Sequence, residues 1–279
     1  MIAGKTVNVL LRLLNLKLIR IQHGIPDGCV TFTGDFRTWT EALNASNGYD
    51  APSILEKVHD AALKVKSGEA AYERDSVLFE QVEYSWPTLA ALLWVASQNS
   101  GELSVLDFGG SLGTTYYQNK RFLDVLPRVH WGVVEQAHFV EMGRRDMEDE
   151  QLNFYYSIEK LLRSSFPPNI ALLSCVLQYL ENPYKVLSEI LALNLEVIVV
   201  DILSVIEGDC DRISVEHVPP AIYEASYPAW FFSKSKFIQF VQSKGYEVLE
   251  EFAAYVGESL FIDGEEKAND MGFILRKRK

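Results

Sequence analysis

The sequence predicts an α/β protein built on a mostly parallel sheet with crossover helices. From Leu103 onward, short apolar runs at 103–108, 130–134, 170–174 and 197–202 alternate with helix-length stretches. Such continuous runs are typical of parallel strands buried on both faces. This alternation ends near the C-terminus, where residues 246–255 and 271–276 both have strand-like patterns. We therefore expect two C-terminal strands, joined by the acidic turn at 263–266, to close the sheet as an antiparallel hairpin.

Residues 30–100 are predicted to form a helical cap that precedes the domain at 101–279. Helical patterns begin at Trp39 and, after Ser53 as a candidate N-cap, at Ile54, and Gly68 is a plausible helix end. The run at 88–96 is apolar nearly all round and follows Pro87, which suits the first turn of a helix. This last helix is therefore expected to be buried.

The N-terminal segment 1–29 differs in composition from the rest. Residues 1–22 carry four basic and no acidic residues among many leucines and isoleucines. Charges interrupt this stretch too often for a spanning helix, which needs about 20 mostly apolar residues. Two interpretations stay open: a basic amphipathic helix on an anionic membrane surface, or a helix docked on the domain or on a second subunit of a homodimer.

Composition restricts the class of protein. The 279 residues are 48% hydrophobic and carry a net charge of −12, which disfavours a nucleic-acid surface because phosphate binding relies on clustered lysine and arginine. Cys29, Cys175 and Cys210 show no C-x-x-C spacing, and no H-x-x-x-H pair occurs. We expect a cytoplasmic protein without a protein-built metal site.

The strongest motif is the glycine-rich turn Asp107-Phe108-Gly109-Gly110-Ser111-Leu112-Gly113, which joins a predicted strand to a helix. Glycines let the backbone turn sharply and let a ligand approach main-chain N–H groups. A dinucleotide fingerprint would need glycine at Ser111 and Thr114. The turn instead resembles the D-x-G-x-G-x-G motif of class I methyltransferases, with Ser111 at the middle glycine; a tight turn of any α/β protein is the alternative.

An acidic residue ends the next predicted strand. Glu135 follows Gly113 by 22 positions and precedes Gln136. At this place an acid can accept hydrogen bonds from both ribose hydroxyls of a nucleoside, at a spacing near the expected ~20 residues. A solvated acid at a strand end is the alternative interpretation.

The stretch 172–183 resembles the fourth motif of class I methyltransferases, whose V-L-x-H-L-x-D-P-like sequence lines the methionine end of S-adenosylmethionine (SAM). Gln178-Tyr179 and Asn182 depart from that pattern. The resemblance implies a Rossmann-like fold with a seven-stranded sheet and SAM as cofactor. It places the cofactor site at Asp107, Gly109, Gly110, Ser111, Gly113, Glu135, Gln136, Ser174 and Gln178.

Residues 33–273 also resemble a little-characterised bacterial family regarded as methyltransferases and associated with surface-polysaccharide biosynthesis. The resembling blocks are 48–50, 72–79, 106–110, 134–136, 216–220 and 226–233. This implies methylation of a sugar or a related small acceptor. The basic segment 1–22 would suit peripheral contact of the protein with the inner membrane.

Two segments supply candidate substrate residues. The aromatic stretch 216–233, predicted to form a lid, holds Tyr223, Tyr227 and Trp230, and also His217, which we predict to be the general base for a hydroxyl acceptor. A histidine merely hydrogen-bonded in a loop is an equal alternative. Tyr72 and Arg74, expected on a helix before the domain, close over the methionine carboxylate or the substrate, or else lie on a solvated helix face.

The sequence thus predicts a SAM-dependent methyltransferase that O-methylates a sugar-like acceptor. The alternative is a catalytically inactive SAM-fold protein that acts as a scaffold in glycan assembly, motivated by Ser111 and the departures around Gln178. A NAD-dependent oxidoreductase is disfavoured by Ser111, by Thr114 and by the antiparallel tail.

Overall fold

A computed structural model describes residues 30–47, 51–219, 222, 225–256 and 259–279. The segment 1–29 and Tyr223 lie outside the described residues, so the predictions made for them stay predictions. Within the described ranges, no helix is long and apolar enough to cross a membrane.

The strands are β1 Thr31–Phe36, β2 Tyr72–Arg74, β3 Val77–Phe79, β4 Glu102–Phe108, β5 Arg128–Val134, β6 Leu152–Tyr155, β7 Ile170–Ser174, β8 Val197–Ile206, β9 Arg212–Val218, β10 Ala225–Ser233, β11 Tyr246–Ala253, β12 Ser259–Ile262 and β13 Glu265–Lys277. The α-helices are α1 Trp39–Asn44, α2 Ala51–Ser67, α3 Trp86–Gln98, α4 Thr114–Leu123, α5 Ala137–Met142, α6 Ile158–Leu162, α7 Pro183–Leu191 and α8 Lys234–Ser243. A π-helical turn, Gly143–Met147, follows α5, and a 3-10 turn, Leu177–Tyr179, follows β7.

The mixed α/β architecture is confirmed, but the predicted count of seven strands is too low. The main sheet has eleven strands in the described residues. Seven of them pair consecutively in the order β6-β5-β4-β7-β8-β13-β11, in which β13 runs antiparallel to both neighbours and the others run parallel. The remaining four, β1, β9, β10 and β12, were not predicted as strands.

These four strands extend the sheet through the long strand β8. The first half of β8 pairs with β7, whereas its last residues, Val205 and Ile206, pair with β10 along the same edge. In the order of the sheet, β10 pairs with β9, β9 with β1 and β1 with β12. Strand β12 in turn pairs with β13. The predicted lid at 216–233 is therefore largely an antiparallel strand pair, whose register joins Tyr227 to Glu216.

The region 30–100 is less helical than predicted. Strand β1 belongs to the main sheet because it pairs with β9 and β12. Residues 72–79 form the β2–β3 hairpin rather than a helix, and its turn places Asp75 and Ser76 at φ values of 51° and 68°. A left-handed turn of this kind interrupts a helix, which explains the correction. The helices at Trp39, Ile54 and Thr88 are confirmed.

The C-terminal hairpin also needs a correction. Strands β11 and β13 do pair antiparallel as expected. The acidic turn at Asp263 and Gly264, however, joins β12 to β13, because the additional strand β12 lies between β11 and β13 in the chain. Both turn residues have positive φ, which suits a tight connection.

Two apolar layers cover the seven-stranded part of the sheet. Alternate residues of β4 point to opposite faces, so Val105 packs with helices α2 to α5 while Leu106 packs with α6 to α8. With helices on both faces, the ends of the strands remain the place where a ligand can reach the sheet.

Candidate functional site

A cavity of about 1220 Å³ opens where β4, β5 and β7 end. It is lined by residues that directly follow these strands, including Gly109, Glu135 and Cys175. The β2–β3 hairpin and Tyr255 also line it. The carboxyl ends of parallel strands are the usual ligand-binding edge of such sheets.

The glycine-rich turn borders this cavity through Gly109, Gly110 and Ser111. Gly109 has φ +73°, and a Cβ there would lie 2.3 Å from Val176 Cγ2. A Cβ on Gly110 would lie 2.3 Å from the Asp107 carboxylate, so both positions exclude larger residues. Gly113, at φ +92°, is the N-cap residue of α4 and does not line the cavity.

Asp107 lies beneath the turn rather than on the cavity wall. Its carboxylate is fully buried and accepts a 2.8 Å hydrogen bond from Trp131 Nε1, whereas its Oδ1 has no partner. Burial raises the pKa of this carboxyl to about 7. Asp107, predicted to contact the cofactor, does not itself line the cavity, but it lies against Gly110, which does.

Glu135 and Gln136 lie where the sequence placed them, at the end of β5 and on the cavity wall. The Gln136 backbone N–H donates to Glu135 Oε2 at 2.7 Å. Burial raises the pKa of Glu135, and the backbone N–H groups of Gln136 and Ser111 offset part of that effect. These bonds hold the carboxylate beside the glycine-rich turn.

The loop after β7 brings Ser174, Cys175 and Gln178 to the cavity. Gln178 is buried and donates through Nε2 to the Ile202 carbonyl oxygen at 3.0 Å and to Cys175 Sγ at 3.4 Å. This donor role fixes the orientation of the amide, and its Oε1 accepts no hydrogen bond from the described residues.

The β2–β3 hairpin places Tyr72 and Arg74 on the cavity, as predicted, although on strands. The hydroxyls of Tyr72 and Tyr255 lie 2.6 Å apart. The Arg74 guanidinium lies over the rings of Phe79 and Tyr255, at 5.3 and 5.8 Å from their centroids. Arg74 also forms a 3.8 Å ion pair with Glu83.

Glu73, not predicted as a site residue, ties this hairpin to the glycine-rich turn. The Thr114 hydroxyl, in the first turn of α4, donates to the buried Glu73 carboxylate. Burial raises the pKa of Glu73 to about 7. A carboxylate is favoured at a helix N-terminus by the helix dipole. No pattern in the sequence pairs residues 73 and 114.

Besides Asp107 and Gly113, two further predicted residues do not line the cavity. His217 Nε2 lies 2.8 Å from Thr33 Oγ1, and Trp230 donates through Nε1 to the Leu180 carbonyl oxygen at 3.0 Å. Neither lines the cavity. Side chains alternate across a strand, so Glu216 in β9 faces the cavity and His217 does not. Tyr227, also predicted, lines it.

Glu216 is the central site residue that sequence reasoning missed. It is 4% exposed, and it accepts hydrogen bonds from the hydroxyls of Tyr179 at 3.0 Å and of Tyr227 at 3.2 Å. Burial raises its pKa to about 8, and the nearby carboxylates of Asp75 and Asp270 add to the shift. No pattern in the sequence singled out Glu216, because the apolar residues Ile213 and Val215 lie on the other face of β9.

No protein-family model matches this chain, and no curated protein sequence matches it. Among solved structures, the N-terminal domain of EvdMO1, determined with S-adenosylhomocysteine (SAH) and D-fucose, has a TM-score of 0.47 at 14% identity and covers 82% of this chain and 98% of its own. The [4+2]-cyclase SpnF has a TM-score of 0.47 at 13% identity, with 81% and 94% covered.

A third similar structure is SAM-bound CalS10, an amino pentose methyltransferase from Micromonospora echinaspora, with a TM-score of 0.43 at 11% identity, covering 70% of this chain and 92% of its own. With identities of 14% or less and TM-scores below 0.5, these similarities do not identify a ligand of this chain.

The described parts of the chain contain no group of three His, Cys, Asp or Glu side chains arranged to hold a metal ion. The titratable groups that line the cavity are several carboxyls and tyrosine hydroxyls, together with Arg74 and Cys175. These groups exchange hydrogen bonds and protons, which suits an organic ligand with several donors.

Proposed function

We propose that this protein is a SAM-dependent methyltransferase that acts on a small molecule. The observation that carries the proposal is the shared cavity of the Gly109–Ser111 turn and the Glu135 carboxylate, at the carboxyl ends of β4 and β5. Val176 and Asp107 exclude side chains at Gly109 and Gly110, so both residues line the cavity with backbone atoms alone.

The residues present fit this cofactor. Glu135 offers a carboxylate for the two ribose hydroxyls, and the apolar side chains of Phe108, Val134 and Phe139, which line the same cavity, suit an adenine ring. Ser174 and Gln178 belong to the loop that would border the methionine part. When bound, SAM supplies a methyl group activated by its sulfonium, and the protein contributes chiefly orientation and exclusion of water.

The finer proposal is a sugar hydroxyl, or a related small acceptor of surface-polysaccharide biosynthesis, as the methylated group. The resemblance of blocks 72–79 and 226–233 to the bacterial family supports it. Tyrosine hydroxyls and carboxylates on the cavity wall, such as Tyr179 and Glu216, can bind a polyhydroxylated ligand. Since His217 lies outside the cavity, a cavity carboxylate takes over the proposed role of proton acceptor.

The proposed location is the cytoplasm, with peripheral contact at the inner membrane through residues 1–22, which are basic and rich in leucine. Binding of the full chain to vesicles with and without anionic lipid tests this contact. Binding that depends on neither the anionic lipid nor residues 1–22 would contradict it.

Calorimetric titration with SAM and SAH tests the cofactor assignment. Wild type is expected to bind both, and Glu135→Ala is expected to weaken binding by about 1.5–3 kcal/mol because hydrogen bonds to a charged group are lost. Glu150→Ala, which removes an exposed carboxylate, is the matched control and should bind normally.

A parallel titration with NADH tests the alternative cofactor. Failure of folded wild type to bind SAM and SAH would refute the proposal, and binding of NADH in their place would favour an oxidoreductase. Tight SAH binding without methyl transfer to any member of a glycan-precursor panel would favour the scaffold interpretation.

A further inference from the structure

A buried carboxylate of β9 is held in the cavity by two tyrosines. Glu216 is 4% exposed and lines the cavity. Its Oε2 accepts a 3.0 Å hydrogen bond from the Tyr179 hydroxyl, and its Oε1 accepts a 3.2 Å hydrogen bond from the Tyr227 hydroxyl. The two tyrosine rings pack edge to face, with centroids 5.5 Å apart. A carboxylate oxygen has about two acceptor sites, so each oxygen of this fixed carboxylate can accept one more donor.

The hydrogen bond from Tyr179 joins Glu216 to the loop that follows β7. Tyr179 is the last residue of the 3-10 turn and comes directly after Gln178. Ser174 and Gln178 of this loop line the cavity and are proposed to border the methionine part of SAM, which carries the reactive methyl group. Glu216 is therefore one hydrogen bond away from the loop that would border the reacting part of the cofactor.

Four of the other carboxylates that line the cavity are open to solvent. Asp75, Glu159 and Glu189 are exposed. Asp270 is partly exposed and accepts a 2.8 Å hydrogen bond from the Ser204 hydroxyl. A group that takes a proton during methyl transfer should be shielded from water, because a closed site strengthens the electrostatic interactions within it and prevents side reactions.

Two further carboxylates are bound to the glycine-rich turn and the helix that follows it. Glu73 accepts a hydrogen bond from the Thr114 hydroxyl, in the first turn of α4. Glu135, the proposed ribose ligand, accepts from the backbone N–H groups of Ser111 and Gln136. Among the described residues that line the cavity, Glu216 is thus the buried carboxylate that the nucleoside part of the site does not engage.

The pKa of Glu216 suits proton transfer near neutral pH. Burial raises this pKa to about 8, although the hydrogen bonds from the two tyrosines favour the ionised form. The titratable groups that act on it are Tyr179, Tyr227, Asp75, Asp270 and Cys175. A general base is most effective when its pKa lies near the operating pH. Near pH 8 Glu216 is about half ionised, and it is then a stronger base than an unperturbed glutamate.

We propose that Glu216 is the catalytic residue that accepts the proton of the acceptor hydroxyl, and that Tyr179 and Tyr227 are positioning residues for its carboxylate. This inference rests on the proposed function and deepens it. The acceptor oxygen forms its bond to the methyl carbon while the bond from that carbon to sulfur breaks and leaves its electron pair on sulfur. The hydroxyl proton passes to Glu216, whose carboxylate becomes neutral and later returns the proton to solvent.

A comparison of SAM with SAH tests the position of Glu216 without any acceptor. The two ligands differ by the methyl group and by the positive charge on sulfur. An opposite charge close to a carboxyl lowers its pKa by about 1–3 units. If SAM lowers the pKa of Glu216 by about one unit relative to SAH, the ratio of SAM to SAH affinity should increase about fivefold between about pH 6 and about pH 8. Calorimetric titration of wild type across this range measures the ratio.

Three variants assign this pH dependence to Glu216. Glu216→Gln cannot ionise and should lose most of the increase. Glu250→Gln changes an exposed glutamate on β11 and is the matched control, which should keep it. Tyr179→Phe keeps the Glu216 carboxyl but removes a hydrogen bond that favours its ionised form, so the increase should begin at a higher pH. This last variant tests the proposal even if Glu216→Gln does not fold.

Release of SAH in the presence of hydroxyl probes tests the proton transfer itself. The probes are methyl glucoside, phenol and 4-nitrophenol, of which the last ionises near neutral pH without a base. With a methylated probe that needs a base, Glu216→Gln should lower kcat about 100-fold or more and leave KM near that of wild type. With 4-nitrophenol the loss should be smaller, because its oxygen has already lost its proton.

The outcomes separate this inference from the proposed function. Binding of SAM and SAH with an affinity ratio that does not change with pH, or that changes equally in Glu216→Gln, would overturn the assignment of Glu216 and leave the methyltransferase proposal standing. An unchanged kcat of Glu216→Gln with phenol or methyl glucoside would also overturn it. Failure of folded wild type to bind SAM and SAH would refute the methyltransferase proposal itself.

Discussion

Replacing Asp107 with asparagine should reveal a penalty for ionising a buried carboxylate. Asp107 is fully buried, accepts one hydrogen bond from Trp131 and has a second oxygen without a partner. Asparagine keeps the shape and can still accept from the indole N–H, but it cannot ionise. The free energy of unfolding of the variant, relative to wild type, should therefore increase with pH.

The magnitude follows from the two pKa values of the carboxyl. Burial raises the pKa in the folded state to about 7, whereas an unperturbed aspartate in the unfolded chain has a pKa near ~3.9. Between these values only the unfolded chain loses its proton, so the folded state is destabilised by about 1.4 kcal/mol per pH unit. The full effect is about 4 kcal/mol, reached near pH 7 and constant above it.

Urea unfolding, monitored by tryptophan fluorescence, measures this effect. Between about pH 5.5 and about pH 8.5 the difference in unfolding free energy between the variant and wild type should grow by about 2 kcal/mol. Raised pKa values at Glu73 and Glu216 also affect wild type, but they are common to both proteins and largely cancel in the difference. Asp209→Asn removes an exposed carboxylate as a control. A difference between Asp107→Asn and wild type that does not change with pH would refute the argument from burial.

Three further changes test other parts of the structure. Gly109→Ala should destabilise the protein by about 2–3 kcal/mol, because Cβ would meet Val176 and the φ of +73° is strained, and should weaken SAH binding; normal unfolding and calorimetry would contradict the turn geometry. Tyr72→Phe should cost about 1 kcal/mol by removing the 2.6 Å hydroxyl contact with Tyr255, and a thermal double-mutant cycle with Tyr255→Phe should show coupling. Val125→Thr should change unfolding by less than about 0.5 kcal/mol because the side chain is 79% exposed, and a larger loss would contradict that exposure.

Features set by neighbouring residues could be predicted from the sequence. Strand β4, the turn at Gly109 and the helix that begins at Thr114 follow one another within a short stretch, and the glycines that permit the turn lie inside it. Glu135 was placed correctly because the end of a buried apolar run marks the carboxyl end of its strand. Local residue types and hydrophobic pattern therefore determined the glycine-rich turn and the acid that faces it.

Tertiary structure decided which side chains of β9 and β10 face the cavity. The register of β9 against β1 and β10 directs Glu216 inwards and His217 outwards, and a shift of one residue would exchange them. The aromatic stretch predicted as a lid forms strands because β8 is long enough to pair with both β7 and β10. Asp75, Glu216 and Asp270 line the same cavity for the same reason: pairings between distant segments bring them to it, and no local pattern in the sequence encodes this.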